Sequence, residues 1–409
     1  LNTIYIHRYT MISFKRPQST EEKPELIYQI LSWEALDEDI EQDTSGSEDE
    51  PDPNLVDKRY HIYSFGVNEC GESVCVRFES YRPYLFALVP DKFQETFDSY
   101  AKKEVERFIR NKLFKSRDDL ISVELVERKK YKGFTNCKKF KFLRFVCKNL
   151  YTFNRIRYIL NPKEKSRLPK ISNIDQISPL KFDLYESNID PYLRFTHKMD
   201  IKMAGWVKVN NITQDNDMSR CQHNYICHYT NVKPYDRQEI CNLTLGAWDI
   251  EAFSYSSRHL NINEFPNPEN PLDIITQIGT SLYKFGTKEK IKHVVTIKSP
   301  IDNDCDPVEG VVIETYDSEK ELIEGWVKFI RDTDPDILVQ YNGYGFDWAY
   351  IYARAKVLDI EYVLQNLSRI ESKPAEFFES RLSTSAYGDN TMKYMKTHGI
   401  TPFDLMFII

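Results

Sequence analysis

No stretch of the 409-residue chain approaches the roughly 18 consecutive apolar residues of a membrane-crossing helix, and none reads as a secretory signal peptide. Glycine-rich phosphate loops are missing too. Neither G-x-G-x-x-G nor the P-loop pattern occurs, which removes the Rossmann dinucleotide binders and the P-loop nucleotidases. The eight cysteines fall at irregular spacings without a C-x2-C knuckle, so the chain reads as an intracellular, reduced protein and not as a disulfide framework. Positive charge is not in excess. Against 62 Asp and Glu stand 55 Lys and Arg, a net charge of −7 that excludes an all-over basic coat but leaves a local basic face open.

What is present suits a globular protein of two or three domains, with 29% charged and 13% aromatic residues. Much of the acid lies in "EALDEDIEQDTSGSEDEPDP", residues 34–53, expected to be a solvated, disordered insertion spanning 34–56. The following "RYHIYSFGVNECGESVCVRFESYRPYLFALVP" predicts a β-meander, and 97–114 a helix. Next comes a stretch in which Lys129, Lys130, Lys132, Lys138, Lys139, Lys141 and Arg144 interleave with Tyr131, Phe134, Phe140 and Phe142. Two readings fit it: a surface for single-stranded nucleic acid, or a two-faced strand with its basic side in water. Cys221, His223, Cys227 and His228 invite a zinc reading. In a strand, however, His228 faces away from the other three, which favours a structural strand.

From about residue 242 strands and helices alternate. Strands are expected at 243–250, 273–284, 291–298 and 336–341, a helix at 318–333 capped by Ser318 with Glu321 three residues on, and a second helix from Phe346. This is a mixed α/β layer with an antiparallel start, ribonuclease-H-like and not Rossmann-like. Within "NLTLGAWDIEAFSYSS", Asp249 and Glu251 stand two apart and so share one strand face. Each raises the cost of ionising the other, and a divalent cation is the usual remedy. About a hundred residues on, "DPDILVQYNGYGFDWAYIYARA" runs a strand into Asn342, a glycine-rich turn, Phe346 and Asp347. Asp347 alone is an ordinary helix cap and Asn342 an ordinary turn former. The pattern strand–Asp–x–Glu followed by strand–Asn–x3–Phe–Asp–helix is far rarer than its parts.

"WDIE" and "YNGYGFD" resemble the first and second exonuclease motifs of B-family DNA polymerases. The resemblance extends over nearly the whole chain, through "YSFGVNECGESVCVRFESYRPYLFALVP", "YESNIDPYLRFTHKMDIKMAGWVKV", "EFPNPENPLDIITQIGTSLY" and "LSTSAYGDNTMKYMKTHGITPFDLMFII". These segments are most similar to delta-type catalytic subunits as found in large double-stranded DNA viruses. The resemblance implies an α/β (α+β) fold: a β-rich amino-terminal domain, 1–240, before a ribonuclease-H-like 3′–5′ exonuclease domain, 241–409, incomplete at its carboxyl end. Both ends look cut, and the family's third motif, Tyr-x3-Asp, and its polymerase palm are expected past Ile409. The chain would then be part of a replicative DNA-directed DNA polymerase, inactive by itself.

By the same resemblance, Asp249, Glu251 and Asp347 are the catalytic acids and the ligands of two Mg²⁺ ions, with Mn²⁺ as substitute. Asn342 contacts the 3′-terminal nucleotide, Phe265 is a wedge against the frayed base, and Phe346, Lys130 and Lys139 join the DNA surface. The implied partners are primer–template DNA, a single-stranded 3′ end and a sliding clamp reached through further sequence, with no membrane. The implied location is the host nucleus or a cytoplasmic replication site. Three departures from the family pattern stand out: Trp248 for Phe or Tyr, Ala252 for Cys, and Gly399-Ile400 for Gly-Arg. The alternative is a free-standing 3′–5′ exonuclease with a nucleic-acid-binding front domain.

Overall fold

The computed structural model describes residues 25–39, 57–130, 133–161, 181–259, 263–298, 305–384 and 388–407. In chain order the front half comprises β1 (Glu25–Asp39), β2 (Lys58–Asn68), β3 (Ser73–Glu79), β4 (Tyr84–Leu88), α1 (Ser99–Leu113), β5 (Leu120–Lys129), β6 (Lys139–Cys147) and α2 (Leu150–Leu160). It continues through β7 (Asp183–Tyr185), α3 (Pro191–Lys198), β8 (Trp206–Asn210), β9 (Thr213–Gln214), β10 (His223–His228) and β11 (Val232–Pro234). These strands form two sheets. One is seven-stranded, in the order β11-β8-β1-β2-β3-β10-β9, and the other four-stranded, β5-β6-β4-β7.

The expected insertion starts too early. Residues Glu34 to Asp39 belong to β1, paired antiparallel with β2 from Glu34 opposite Tyr63 to Asp39 opposite Lys58. Their acids are answered at a distance. Asp37 accepts the N–H groups of Leu150 and Tyr151 at the start of α2, at 2.7 and 2.8 Å. Glu38 lies 2.6 Å from both His61 Nδ1 and the Tyr63 hydroxyl. Partners more than twenty residues away are invisible to local composition, which is why Glu34 to Asp39 read as solvated chain. The rest of that segment, 40–56, lies outside the described residues. The meander also breaks: β2 and β3 pair, but β4 crosses into the second sheet between β6 and β7.

Helices α1 and α2 cover one face of the four-stranded sheet. Asp98 caps α1 by accepting the Ala101 N–H at 2.9 Å, and Ala101, Val105, Ile109 and Leu113 recur every fourth residue on its buried stripe. They pack with Phe153 and Ile156 of α2 against Leu85, Ala87, Leu143 and Phe145.

The back half comprises β12 (Thr244–Ala252), α4 (Tyr255–His259), β13 (Ile275–Lys284), β14 (Lys290–Ile297), β15 (Val311–Tyr316), α5 (Glu319–Thr333) and β16 (Ile337–Gln340). After them come α6 (Asp347–Val357), α7 (Glu361–Gln365), β17 (Glu376–Thr384), β18 (Gly388–Lys396) and β19 (Thr401–Asp404). The six-stranded sheet runs β15-β14-β13-β12-β16-β19, with β12, β13 and β14 antiparallel and β16 and β19 added parallel to β12. Strand β15 was not expected. It is an edge strand whose residues are mostly half exposed, so its apolar signal is weak.

Helix α5 begins as its sequence predicts. Ser318 Oγ accepts the Glu321 N–H at 3.3 Å while the Glu321 carboxylate takes the Asp317 N–H at 3.1 Å. Its indole Trp326 meets Trp248 of β12 at 4.5 Å, and Trp348 of α6 meets Trp248 edge-on at 4.6 Å. All three indoles belong to the buried core of this half, Trp248, one of the departures from the family pattern, among them. Behind the sheet, fully buried Arg369 donates to Asp334 at 2.8 Å, to Asp336 at 3.0 Å and to the Gly399 carbonyl at 3.1 Å. Gly399 has φ +93°, and a Cβ there would press on Phe65 and Arg369, so only glycine fits. Ile400, another of the three departures, is buried in the core. Among the described residues no helix is long and apolar enough to cross a membrane.

Candidate active site

Strand β12 alternates as its sequence predicts. Trp248 and Ile250 point into the core, while Ala247, Asp249 and Glu251 are exposed on the other face. The parallel ladder to β16 runs only as far as Ala247 opposite Val339. Beyond it β16 turns away, leaving main-chain groups of β12 unpaired on that edge. Into this gap comes the first turn of α6: the Asp347 carboxylate accepts the Ile250 N–H at 3.3 Å.

That placement sets Asp347 against Asp249. Burial, then the hydrogen bond and charge of Asp249, push the Asp347 carboxyl up to about 7, with the Ile250 N–H pulling the other way. The two acids precede and follow indoles in mutual contact, Asp249 after Trp248 and Asp347 before Trp348. The second motif, on a strand beside the first, is expected to bring Asp347 toward Asp249, whereas the indole contact next to them is not announced by the motifs. The signal available was a tryptophan beside each acid.

Glu251 stands on the same exposed face as Asp249, just before a bulge at which β12 shifts register against β13. The described residues contain no group of three or more Asp, Glu, His or Cys drawn together closely enough to hold a metal. The acids that meet are two. They nevertheless suit a divalent cation: hard carboxylate oxygens are crowded together, and among the described residues no Lys, Arg or His forms an ion pair with Asp249, Glu251 or Asp347. Opposite Asp249 in β13 stands Gly279, and the space above it is open.

The turn from β16 to α6 is tight. Asn342 adopts φ +61°, and its carbonyl accepts the N–H groups of Gly345 and Phe346, each at 3.0 Å. A Cβ at Gly345 would meet the end of the Asn342 side chain, which would have to move to make room for it. Phe346, the residue before α6, packs edge-on against Phe265 at 5.1 Å and against Tyr350 at 5.3 Å. The two aromatic residues expected at the DNA surface are thus neighbours, and Phe265 remains 75% exposed.

A buried polar cluster that the sequence did not suggest holds the segment bearing Phe265. The Asp273 carboxylate accepts the N–H groups of Tyr255 and Asn267 at 3.0 and 2.8 Å. Arg354, buried in α6, donates to the carbonyls of Pro268 and Asn270 at 3.0 and 2.8 Å and to Glu319 at 2.6 Å. The segment borders an open cleft of about 430 Å³ lined by Ser254, Ser257, Arg258, Glu264 and Phe265.

Lys130 and Lys139 are not part of this site but of the β5–β6 hairpin in the four-stranded sheet. Lys130 is held by Asp91 at 3.1 Å and lies over the Phe140 ring at 4.0 Å. Lys139 is exposed. On and beside β10, His223 lies 2.9 Å from Glu72 and His228 2.7 Å from the Thr230 hydroxyl, as parts of a strand.

Residues 182–409, more than half of the chain, match the family model described as DNA polymerase family B, exonuclease domain. The chain belongs to DNA polymerase family B. Its family B match starts ahead of β12 and takes in β7 to β11, although those strands pair in the front sheets. Among curated relatives, a DNA polymerase of Pyramimonas orientalis virus is 25% identical, covering 96% of this chain and 41% of the relative. A DNA polymerase of Acanthamoeba polyphaga mimivirus is 26% identical, covering 85% and 22%. The DNA polymerase delta catalytic subunit of Drosophila melanogaster is 26% identical, covering 85% and 31%. The chain thus spans between 22% and 41% of the length of these relatives. A solved structure of the family B DNA polymerase from Pyrobaculum calidifontis shares the fold, with a TM-score of 0.56 at 20% identity over 92% of this chain and 36% of that one.

Proposed function

We propose that this chain carries the 3′–5′ exonuclease of a replicative family B DNA polymerase, which trims a frayed DNA end by hydrolysing its last phosphodiester. The observation that carries the reading is the contact of Asp249 and Asp347, two acids from motifs a hundred residues apart, with no cationic side chain paired to either among the described residues. Like charges held together in the fold suit a bound cation better than they suit stability. The relatives' names support placing the activity within a polymerase over the free-standing alternative.

With divalent cations bound, Mg²⁺ or Mn²⁺ in its place, the site would stabilise both the attacking hydroxide and the leaving 3′ alkoxide. Asp249 and Asp347 would hold the ions. Glu251 would complete the ligand set from the same strand face and orient the attacking water. Phe265 and Phe346 would stack on the terminal base, with Asn342 bonding to the same nucleotide. A mispaired end frays at lower cost than a paired one, and that difference supplies the preference for errors. Lys139 would attract the phosphate backbone. Lys130 would contribute less, since Asp91 already neutralises it.

The test is a 5′-labelled primer–template with a 3′ mismatch, incubated with Mg²⁺ and either the 409-residue chain or a polypeptide of the relatives' full length. The expected result is shortening from the 3′ end by the longer polypeptide, faster on the mismatch, lost in EDTA and lost in Asp249→Ala. A longer polypeptide that leaves the mismatch untouched, or an Asp249→Ala variant as active as its parent, overturns the reading.

A further inference from the structure

The turn that delivers Asp347 is itself held by an acid from elsewhere. Strands β16 and β19 run parallel with Gln340 opposite Asp404, and past that pair β16 enters the turn. Three main-chain N–H groups then lack a ladder partner, those of Asn342, Tyr344 and Met406. All three donate to the Asp404 carboxylate: Asn342 and Met406 to Oδ1 at 2.9 and 3.0 Å, Tyr344 to Oδ2 at 2.9 Å. Asp404 is only 3% exposed, and among the described residues no Lys, Arg or His forms an ion pair with it. A buried carboxylate satisfied by main-chain N–H groups makes short, charge-assisted bonds and fixes the geometry of what it grips.

What it grips leads to the site. Asn342 is held in a left-handed conformation and its carbonyl caps the turn at Gly345 and Phe346, after which Asp347 opens α6. The other side of the turn is tied down as well, by the Lys393 N–H on the Tyr344 carbonyl at 3.0 Å and the Tyr344 hydroxyl on the Pro402 carbonyl at 3.0 Å. We propose that Asp404 is the positioning residue of the acidic site, setting the 342–346 turn so that Asp347 meets Asp249. Its consequence, tighter uptake of a divalent cation by the pair, rests on the functional reading above.

Asp404→Asn tests it with almost no change in volume. An amide has one acceptor in place of two and sets N–H against N–H on one side of the turn. In the 409-residue chain, amide exchange at Asn342, Tyr344 and Phe346 is expected to quicken about a hundredfold as the turn opens locally. Mn²⁺ uptake, read by electron paramagnetic resonance, should weaken ten- to a hundredfold, the usual effect of removing a group that orients metal ligands. Phe403→Ala, half-exposed on the same strand, should change neither. If Asp404→Asn does not fold, Asp404→Ser, which keeps an acceptor without adding an amide N–H, carries the same expectations. Unchanged exchange in the variant overturns the proposal, and so does a quickening that Phe403→Ala shares, which would mark general damage to β19. A parent chain that takes up no Mn²⁺ refutes the metal reading of the site. Asp404 is then judged on exchange alone, standing if the turn loosens and falling if it does not.

Discussion

The four-stranded and six-stranded sheets both present charge on a strand face, and they answer it differently. On β5 and β6, Arg144 meets Glu124 at 3.3 Å, Lys130 meets Asp91 at 3.1 Å, and Lys141 donates to the Phe97 carbonyl at 2.8 Å. On β12, Asp249 and Glu251 share an open face, and the fold adds a third acid against the first. Basic residues interleaved with aromatics left two readings open, and three of the seven, Lys130, Lys141 and Arg144, are engaged by groups of the fold itself. The acids are left unanswered. Charge neutralised inside a fold stabilises it modestly, whereas an unneutralised pair costs stability until something binds.

Breaking the acidic side should have the largest effect. Asp249→Ala in the full-length polypeptide is expected to lower Mg²⁺-dependent 3′–5′ hydrolysis at least about 10³-fold, a barrier change of about 4 kcal/mol. Melting in EDTA should be unchanged or higher, because a repelled charge is gone. A loss of stability alongside the loss of activity would place Asp249 with the structural charges. Next is a charge that is fully answered. Arg354→Ala strands Glu319 and two loop carbonyls in the core, and should cost about 3–5 kcal/mol by denaturant titration. A cost under about 1 kcal/mol would remove the contrast between the paired and unpaired classes.

Asp347→Asn sharpens the comparison through pH. The carboxyl is raised to about 7 in the fold against an ordinary value near 4 when unfolded. A raised acid leaves stability intact below the unfolded value and loses it as pH climbs toward the folded one. In EDTA the Asn variant should therefore gain about 1–2 kcal/mol over the parent at pH 8 and almost nothing at pH 4. Equal differences at both pH values would show that Asp347 is not crowded by Asp249.

The smallest effects separate the exposed residues. Phe265→Ala should leave melting within about 0.5 kcal/mol of the parent while narrowing the rate difference between mismatched and paired ends a few-fold. Lys139→Ala should weaken binding of single-stranded DNA about two- to threefold at low salt. Lys130→Ala should act mainly on stability, by about 1 kcal/mol or less. If Lys130 and Lys139 affect DNA binding equally, the internal pairing of Lys130 does not matter.

Several parts of this arrangement were legible from residues alone. The alternation through "WDIE" assigned Asp249 and Glu251 to one face, and the Ser318–Glu321 pattern located the start of α5 to the residue. Both depend on neighbours within a few positions. Glu34 to Asp39 misled because the groups that pair them lie on β2, α2 and β18. Asp404 gave no sign of its role, since the N–H groups it holds are 62 and 60 residues earlier. Nothing in its immediate sequence marks Arg354 as buried, although it is among the most buried side chains of the described residues.

The residue order by itself determined which acids exist, that two of them share a strand face, and that a third opens a helix. It could do so because strand and helix periodicities are properties of consecutive residues. Only the tertiary structure decided that the third acid meets the first. That meeting comes from the parallel pairing of residues 245–247 with 337–339, the contact of two indoles and the grip of Asp404 on a turn. Those are hydrogen bonds and packing contacts between distant segments, and nothing in the local chain specifies them.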